Sequence, residues 1–195
     1  MQTNALLNAT DLSNRLAFIQ AAQSLKEVLR SAYTANGRQE STAEHTWRLA
    51  LLIMVLADQL PELDLLKTLK MAVIHDLGEA IQGDIPAIMQ EGVSNKSAQE
   101  RQDLATLLQP LPNRLQQEFL MLWDEYDQAS SPEALAVKAL DKLETLIQHN
   151  QGLNPADFNY AFNLSYGKQY TDQHHLFAAL RELVDQDTQA KVLGQ

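Results

Sequence analysis

Apolar residues recur along this chain at intervals of three and four, the spacing of one helix face, rather than alternating two by two. The pattern predicts helices over 13–30, 42–60, 63–82, 96–109, 113–127, 132–150 and 172–187. All six prolines (61, 86, 110, 112, 132 and 155) fall at the edges of these segments, where proline can begin or stop a helix. Ser41-Thr-Ala-Glu44 has capping-box spacing and marks the start of the second helix. Shorter turns are expected around 84–91 and 155–168. Gly92-Val-Ser-Asn-Lys and Asn150-Gln-Gly-Leu-Asn-Pro read as loops. No run of β-branched residues with period-two alternation suggests a strand, and no repeat or linker divides the chain. The expectation is a single all-α domain over 1–195.

Polar residues interrupt this pattern in one place. In MAVIHDLGEAIQGDIPA (71–87), His75, Asp76 and Glu79 sit among residues expected to be buried, with Asp84 just beyond. Leu66, Leu69, Val73, Leu77 and Ala80 would trace one apolar face, with Asp76 at its edge. His75 and Glu79, four apart, would share the neighbouring face. Burying such groups costs free energy unless a partner neutralises them. Taken alone, the pair reads as a core histidine beside a solvated acid. Two further residues change that weighing. His45 opens a helix whose body, LALLIMVLADQL, must face the core, and Asp141 lies in a helix carrying Leu135, Leu140, Leu143 and Ile147. Each alone reads as structural or surface. Together, two imidazoles and two carboxylates make a sensible donor set for a divalent metal, although spacing does not establish that they converge.

Composition narrows the chemistry. The chain has 195 residues, 45% hydrophobic and 21% charged, as in an ordinary globular protein. With no cysteine, thiolate zinc sites, disulfides and cysteine nucleophiles are excluded, which fits a reducing compartment. The first residues lack the basic and apolar regions of a signal peptide. The longest apolar run, Leu49 to Ala57, is too short to span a bilayer. A cytoplasmic protein is expected. The net charge of −10 argues against nonspecific binding to nucleic acid or anionic membrane. An anionic substrate would need local positive charge, from a metal ion or placed arginines.

The order His45, His75-Asp76, Asp141 resembles the H…HD…D signature of the HD-domain metal-dependent phosphohydrolases. LKEVLR (25–30), GRQESTAEHTWRLA (37–50), HDLGEAIQGDIP (75–86), LWDEYDQASSPEA (122–134) and VKALDKLE (137–144) are similar to the 5′-(deoxy)nucleotidase branch. The likeness covers about residues 13–150. It implies an HD-domain helical bundle of about seven or more helices, with the remaining helices, 151–195, packing on that core. It also implies that His45, His75, Asp76 and Asp141 ligate one divalent metal (Mn, Co, Mg, Zn, Fe or Ni). Glu79 and Asp84 would act on water and substrate, and Arg30 and Arg38 would hold the phosphate. The implied reaction is hydrolysis of nucleoside 5′-monophosphates, with 2′-deoxynucleosides favoured, by attack of a metal-activated water. A homodimer is expected, with an exposed face of 113–127 or 172–187 supplying the interface. Where some relatives carry an aromatic residue after the arginine, this chain has Ser31, which bears on sugar selectivity.

Other readings stay open at this level. The same metal could serve a phosphodiesterase or pyrophosphohydrolase of a signalling nucleotide, or stabilise a non-catalytic helical regulatory module. Arg30 reads equally as a helix-end residue, Arg38 as a loop arginine, Asp84 as a turn residue and Glu44 as a cap. His174-His175 reads as surface, His149 as a helix-end residue, and Trp47, Trp123 and Tyr126 as core. No glycine-rich phosphate loop is present.

Overall fold

The structure is a computed structural model that describes residues 8–84 and 95–194. The turn expected at 84–91 beyond Asp84, and the Gly92–Ser94 part of the next loop, lie outside the described residues. The chain is predominantly helical, with α1 (Ala9–Ala22), α2 (Thr42–Leu56), α3 (Leu65–Ile74), α4 (Glu79–Gln82) and α5 (Lys96–Leu107) in its first half. α6 (Asn113–Asp127), α7 (Pro132–Gln151), α8 (Tyr160–Asn163), α9 (Lys168–Thr171) and α10 (His175–Leu193) follow. None of the described helices is long and apolar enough to cross a membrane.

Capping chemistry sets the starts of the long helices. Ser41 and Glu44 form a complete capping box on α2, Asp64 accepts from the Lys67 amide on α3, and Ser131 precedes Pro132 on α7. α7 packs against α2, α3, α6 and α10. One apolar cluster gathers Leu49 and Ile53 of α2, Met71 of α3, and Leu140 and Leu143 of α7. A second joins Phe18, Leu77, Leu104, Leu108 and Trp123. Twelve residues of α7 are buried, so it forms the central pillar of the fold.

The periodicity misreads two regions. The helix expected over 13–30 ends at Ala22, and Leu29–Tyr33 is a strand, β1, pairing antiparallel with β2 (Gln39–Ser41). The intervening turn closes through Thr34 and Arg38, with Gly37 at φ 80°, a conformation that glycine adopts without strain. The Asn36-Gly37 dipeptide was the available hairpin signal. Arg30 therefore stands on a strand and not at a helix end.

The helix expected over 63–82 is two helices. α3 stops at Ile74, and the Leu77 and Glu79 amides turn back to the Ile74 and Asp76 carbonyls at 3.0 Å. The His75 carbonyl accepts instead from the Trp123 indole N–H at 3.0 Å. A side chain at Gly78 would meet the Glu100 carbonyl oxygen at 2.5 Å, so glycine lets α5 approach this turn. The break also undoes the expected apolar face: Leu66 and Val73 are exposed, while Met71, Ala72 and Ile74 are buried. Trp47 departs from expectation too. It is 65% exposed, sharing the outward face of α2 with Leu51, Met54 and Val55.

Candidate metal centre and substrate cleft

Two helices and the α3–α4 turn bring the two histidines and two acids together. His45 comes from the first turn of α2, His75 and Asp76 from the turn after α3, and Asp141 from the middle of α7. His45 Nε2 lies 3.0 Å from Asp141 Oδ1 and 3.7 Å from Asp76 Oδ2. His75 Nε2 lies 3.1 Å from Asp76 Oδ2 and 4.0 Å from Asp141 Oδ1. His45, His75 and Asp76 offer ligand atoms all within 4.8 Å of one another. Both imidazole side chains are inaccessible to solvent.

The opposite ring nitrogens are already engaged. His45 Nδ1 pairs with the buried Glu144 carboxylate, and His75 Nδ1 donates to the Ala72 carbonyl at 2.8 Å. Each bond leaves Nε2 as the lone-pair atom, which is how protein ligands are commonly oriented toward metals. Neither buried Nε2 has a hydrogen-bond partner of good geometry. Two orphaned nitrogens among carboxylate oxygens fit a divalent cation.

Electrostatics points the same way. Burial and Arg30 both oppose a charge on His45, yet Glu144 and Asp141 push its pKa up to about 9. Burial resists ionisation of Asp76, but the neighbouring His75 and His45 hold it below the usual carboxylate range. The acids thus demand positive charge at this point, which a proton supplies only by occupying a ligand nitrogen.

A cleft of about 970 Å³ opens over the cluster. Glu79, buried on α4, has its carboxyl pushed up to about 10 by burial and by Asp76 and Asp84. Thr42 Oγ1 donates to Glu79 Oε2 at 3.4 Å, and Lys96 Nζ stands 3.9 Å from Oε1. Asp84 lines the same cleft. Arg30 reaches in from β1: one guanidinium nitrogen donates to Thr145 Oγ1 at 3.0 Å, another to Asp76 Oδ2 at 3.5 Å. Ser31, the next residue, is exposed at the rim.

Arg38 is not brought to the cleft. Its guanidinium donates to both Glu44 carboxylate oxygens at 2.6 and 2.9 Å on the surface, so the cap residue takes the fork that a phosphate would need. Several residues in the cleft or behind it were not singled out individually by the sequence as site residues. Glu144 is fully buried between His45 and Arg48, whose Nε donates to it at 2.5 Å. Lys142 pairs with Asp141 Oδ2 at 2.8 Å, and the Tyr126 hydroxyl donates to the same oxygen at 3.2 Å. His149, expected at a helix end, is buried beside Asn163 Oδ1 at 3.1 Å. Spacing hints only at the α7 residues that recur along one face, 138, 141/142, 145 and 149, while Tyr126, Lys142 and Glu144 fall inside the resemblance segments LWDEYDQASSPEA and VKALDKLE. His174 caps α10 and His175 is exposed, in line with a surface pair.

The HD-domain family model matches residues 22–181. The human 5′-deoxynucleotidase HDDC2 is 33% identical over 138 residues, 70% of this chain and 67% of that protein. The 5′-deoxynucleotidase hdd1 of Schizosaccharomyces pombe is 33% identical over 148 residues, 73% and 74% of the two chains. Among solved structures, a predicted metal-dependent phosphohydrolase from Magnetospirillum magnetotacticum superposes with a TM-score of 0.75 at 27% identity, covering 92% of this chain and 94% of that one. The PH0347 protein from Pyrococcus horikoshii gives 0.68 at 30%, covering 89% and 98%. With the clustered histidines and acids at its centre and the family match over most of its length, this chain belongs to the HD-domain family.

Proposed function

We propose that this protein is a metal-dependent phosphomonoesterase that converts nucleoside 5′-monophosphates, 2′-deoxynucleotides foremost, to nucleoside and phosphate. The observation that carries the reading is the pair of orphaned Nε2 atoms of His45 and His75, facing Asp76 and Asp141 beneath a cleft. Its nucleotide specificity is supported by relatives named as 5′-deoxynucleotidases.

His45, His75, Asp76 and Asp141 would hold one divalent cation, which when bound neutralises phosphoryl oxygens and lowers the pKa of a coordinated water. Arg30 presents its planar fork to the phosphoryl oxygens. Glu79 holds the proton that the attacking water must lose and the leaving 5′-oxygen must gain, as the P–O5′ bond breaks and a new P–O bond forms. Asp84 faces the same space and orients water and substrate. Ser31, exposed at the cleft rim, is the position on which discrimination between deoxyribose and ribose turns.

The reading extends to a single domain over the whole chain, a cytoplasmic setting and a homodimer. The absence of cysteine and the exposed α2 stripe of Trp47, Leu51, Met54 and Val55 support the last two. Phosphate release from ribo- and deoxyribonucleoside monophosphates, with Mn²⁺, Co²⁺ or Mg²⁺, tests the activity. His75→Ala and Asp76→Ala should abolish it, and normal turnover by either folded variant overturns the proposal.

A further inference from the structure

The cleft-lining face of α7 carries Lys138, Asp141, Lys142, Thr145 and His149 in succession. Arg30 docks on this face at Thr145, one turn after Asp141. Lys138 sits about one turn before it, roughly 4.5 Å along the helix axis. The two cations therefore flank Asp141 from opposite ends of the stripe.

Lys138 differs from its neighbours in its partners. Lys142 is ion-paired with Asp141, Lys96 with Glu100 at 3.0 Å, and Arg30 lies against Asp76 and Glu40. Among the described residues, Lys138 is the one lysine or arginine of the cleft that pairs with no carboxylate. Its ammonium instead lies 4.0 Å from the Tyr126 ring centroid and 5.6 Å from that of Tyr170. A ring face attracts an ammonium but leaves its N–H donors unfilled. Tyr126 is itself tied to Asp141 by its hydroxyl, so the platform under Lys138 is fixed to the proposed metal ligand.

We propose that Lys138 is a substrate-binding residue, the second cationic contact for the phosphoryl group beside Arg30. A phosphate monoester dianion has charge and oxygens enough to engage Arg30, a cation at Asp141 and Lys138 together. Lysine suits this place as a point charge on a flexible stem, where Arg30 supplies a planar fork. Burial and the nearby Lys142 pull the Lys138 pKa down against the pull of Asp141, Asp127 and Asp76, as expected of an ammonium awaiting an anion. Only the identity of the group esterified to the phosphate rests on the phosphomonoesterase reading.

The test uses inorganic phosphate as probe and Mn²⁺-loaded full-length protein. Isothermal calorimetry should show phosphate affinity about tenfold or more weaker in Lys138→Met. Lys138→Arg should recover to within about threefold of the original protein, and Mn²⁺ affinity should change by less than about twofold in both variants. Hydrolysis of a deoxynucleoside monophosphate should show the Lys138→Met loss mainly in KM. Unchanged phosphate binding in Lys138→Met overturns the proposal, and so does a parallel loss of Mn²⁺ affinity, which marks a merely structural lysine. If the unmodified protein binds phosphate through Lys138 but hydrolyses no nucleoside monophosphate, the functional reading fails while the phosphate contact stands.

Discussion

Trp123 on α6 donates its indole N–H to the backbone carbonyl of His75 at 3.0 Å, so one helix holds in place the turn carrying two proposed ligands of another. Trp123→Phe keeps most of the buried ring and leaves that carbonyl without its partner. The expected destabilisation is about 1–3 kcal/mol, measured by urea unfolding. Weaker Mn²⁺ binding should accompany it, and unaltered stability would show that the turn holds without the indole.

Glu144 is the orienting partner of His45. Its carboxylate engages Nδ1, which fixes Nε2 as the ligand atom, and Arg48 secures the carboxylate from the other side. Glu144→Gln should weaken divalent-metal affinity by about 10–100-fold. Titration calorimetry with Mn²⁺ checks this, and circular dichroism confirms that the variant folds.

The two arginines near the hairpin should separate cleanly. Arg30→Lys keeps the charge but not the fork, so kcat/KM for a nucleoside monophosphate should fall by roughly 10–100-fold. Arg38 is committed to Glu44 on the surface. Arg38→Ala should leave kcat/KM within about twofold, since exposed pairs contribute little. A large loss in Arg38→Ala would return that residue to the phosphate.

His149 makes stability sensitive to acid. Burial lowers its pKa from 6.5 to about 4, although the Asn163 hydrogen bond favours the charged form. The unfolded chain therefore binds more protons than the folded one between these values. The stabilisation from the neutral ring is present above pH 6.5 and is lost as pH falls toward about 4. Unfolding free energy should decline by about 2–3 kcal/mol more steeply over that window in the original protein than in His149→Gln. Chemical denaturation at pH 7, 5.5 and 4.5 reads the difference.

Most helices were legible because their periodicity and caps agree with their packing: Ser41-Thr-Ala-Glu44 and Ser131-Pro132 mark true starts. Periodicity carried straight through His75–Gly78, because a helix broken by Trp123 taking a carbonyl leaves no mark in the local pattern. The hairpin was hidden by the shortness of its strands, its one cue being Asn36-Gly37. The histidines and acids of the cleft were nameable from the family resemblance. Their convergence depends on three separate elements meeting, which spacing alone does not encode. Glu144 and Lys138 are ordinary residues of a long helix until the structure sets one against His45 and the other in the cleft.

The hairpin has a further consequence, for which changes in chain length this fold can absorb. β2 runs into α2 with Ser41 ending the strand and capping the helix, so no slack separates Arg30's sheet from His45. One residue inserted between Glu40 and His45 would have to be taken up by turning the start of α2 through about 100°, swinging the imidazole away from Asp141. Length variation among natural relatives should therefore gather in the 34–38 turn and avoid 39–45. That short span works as a ruler between the arginine and the first histidine.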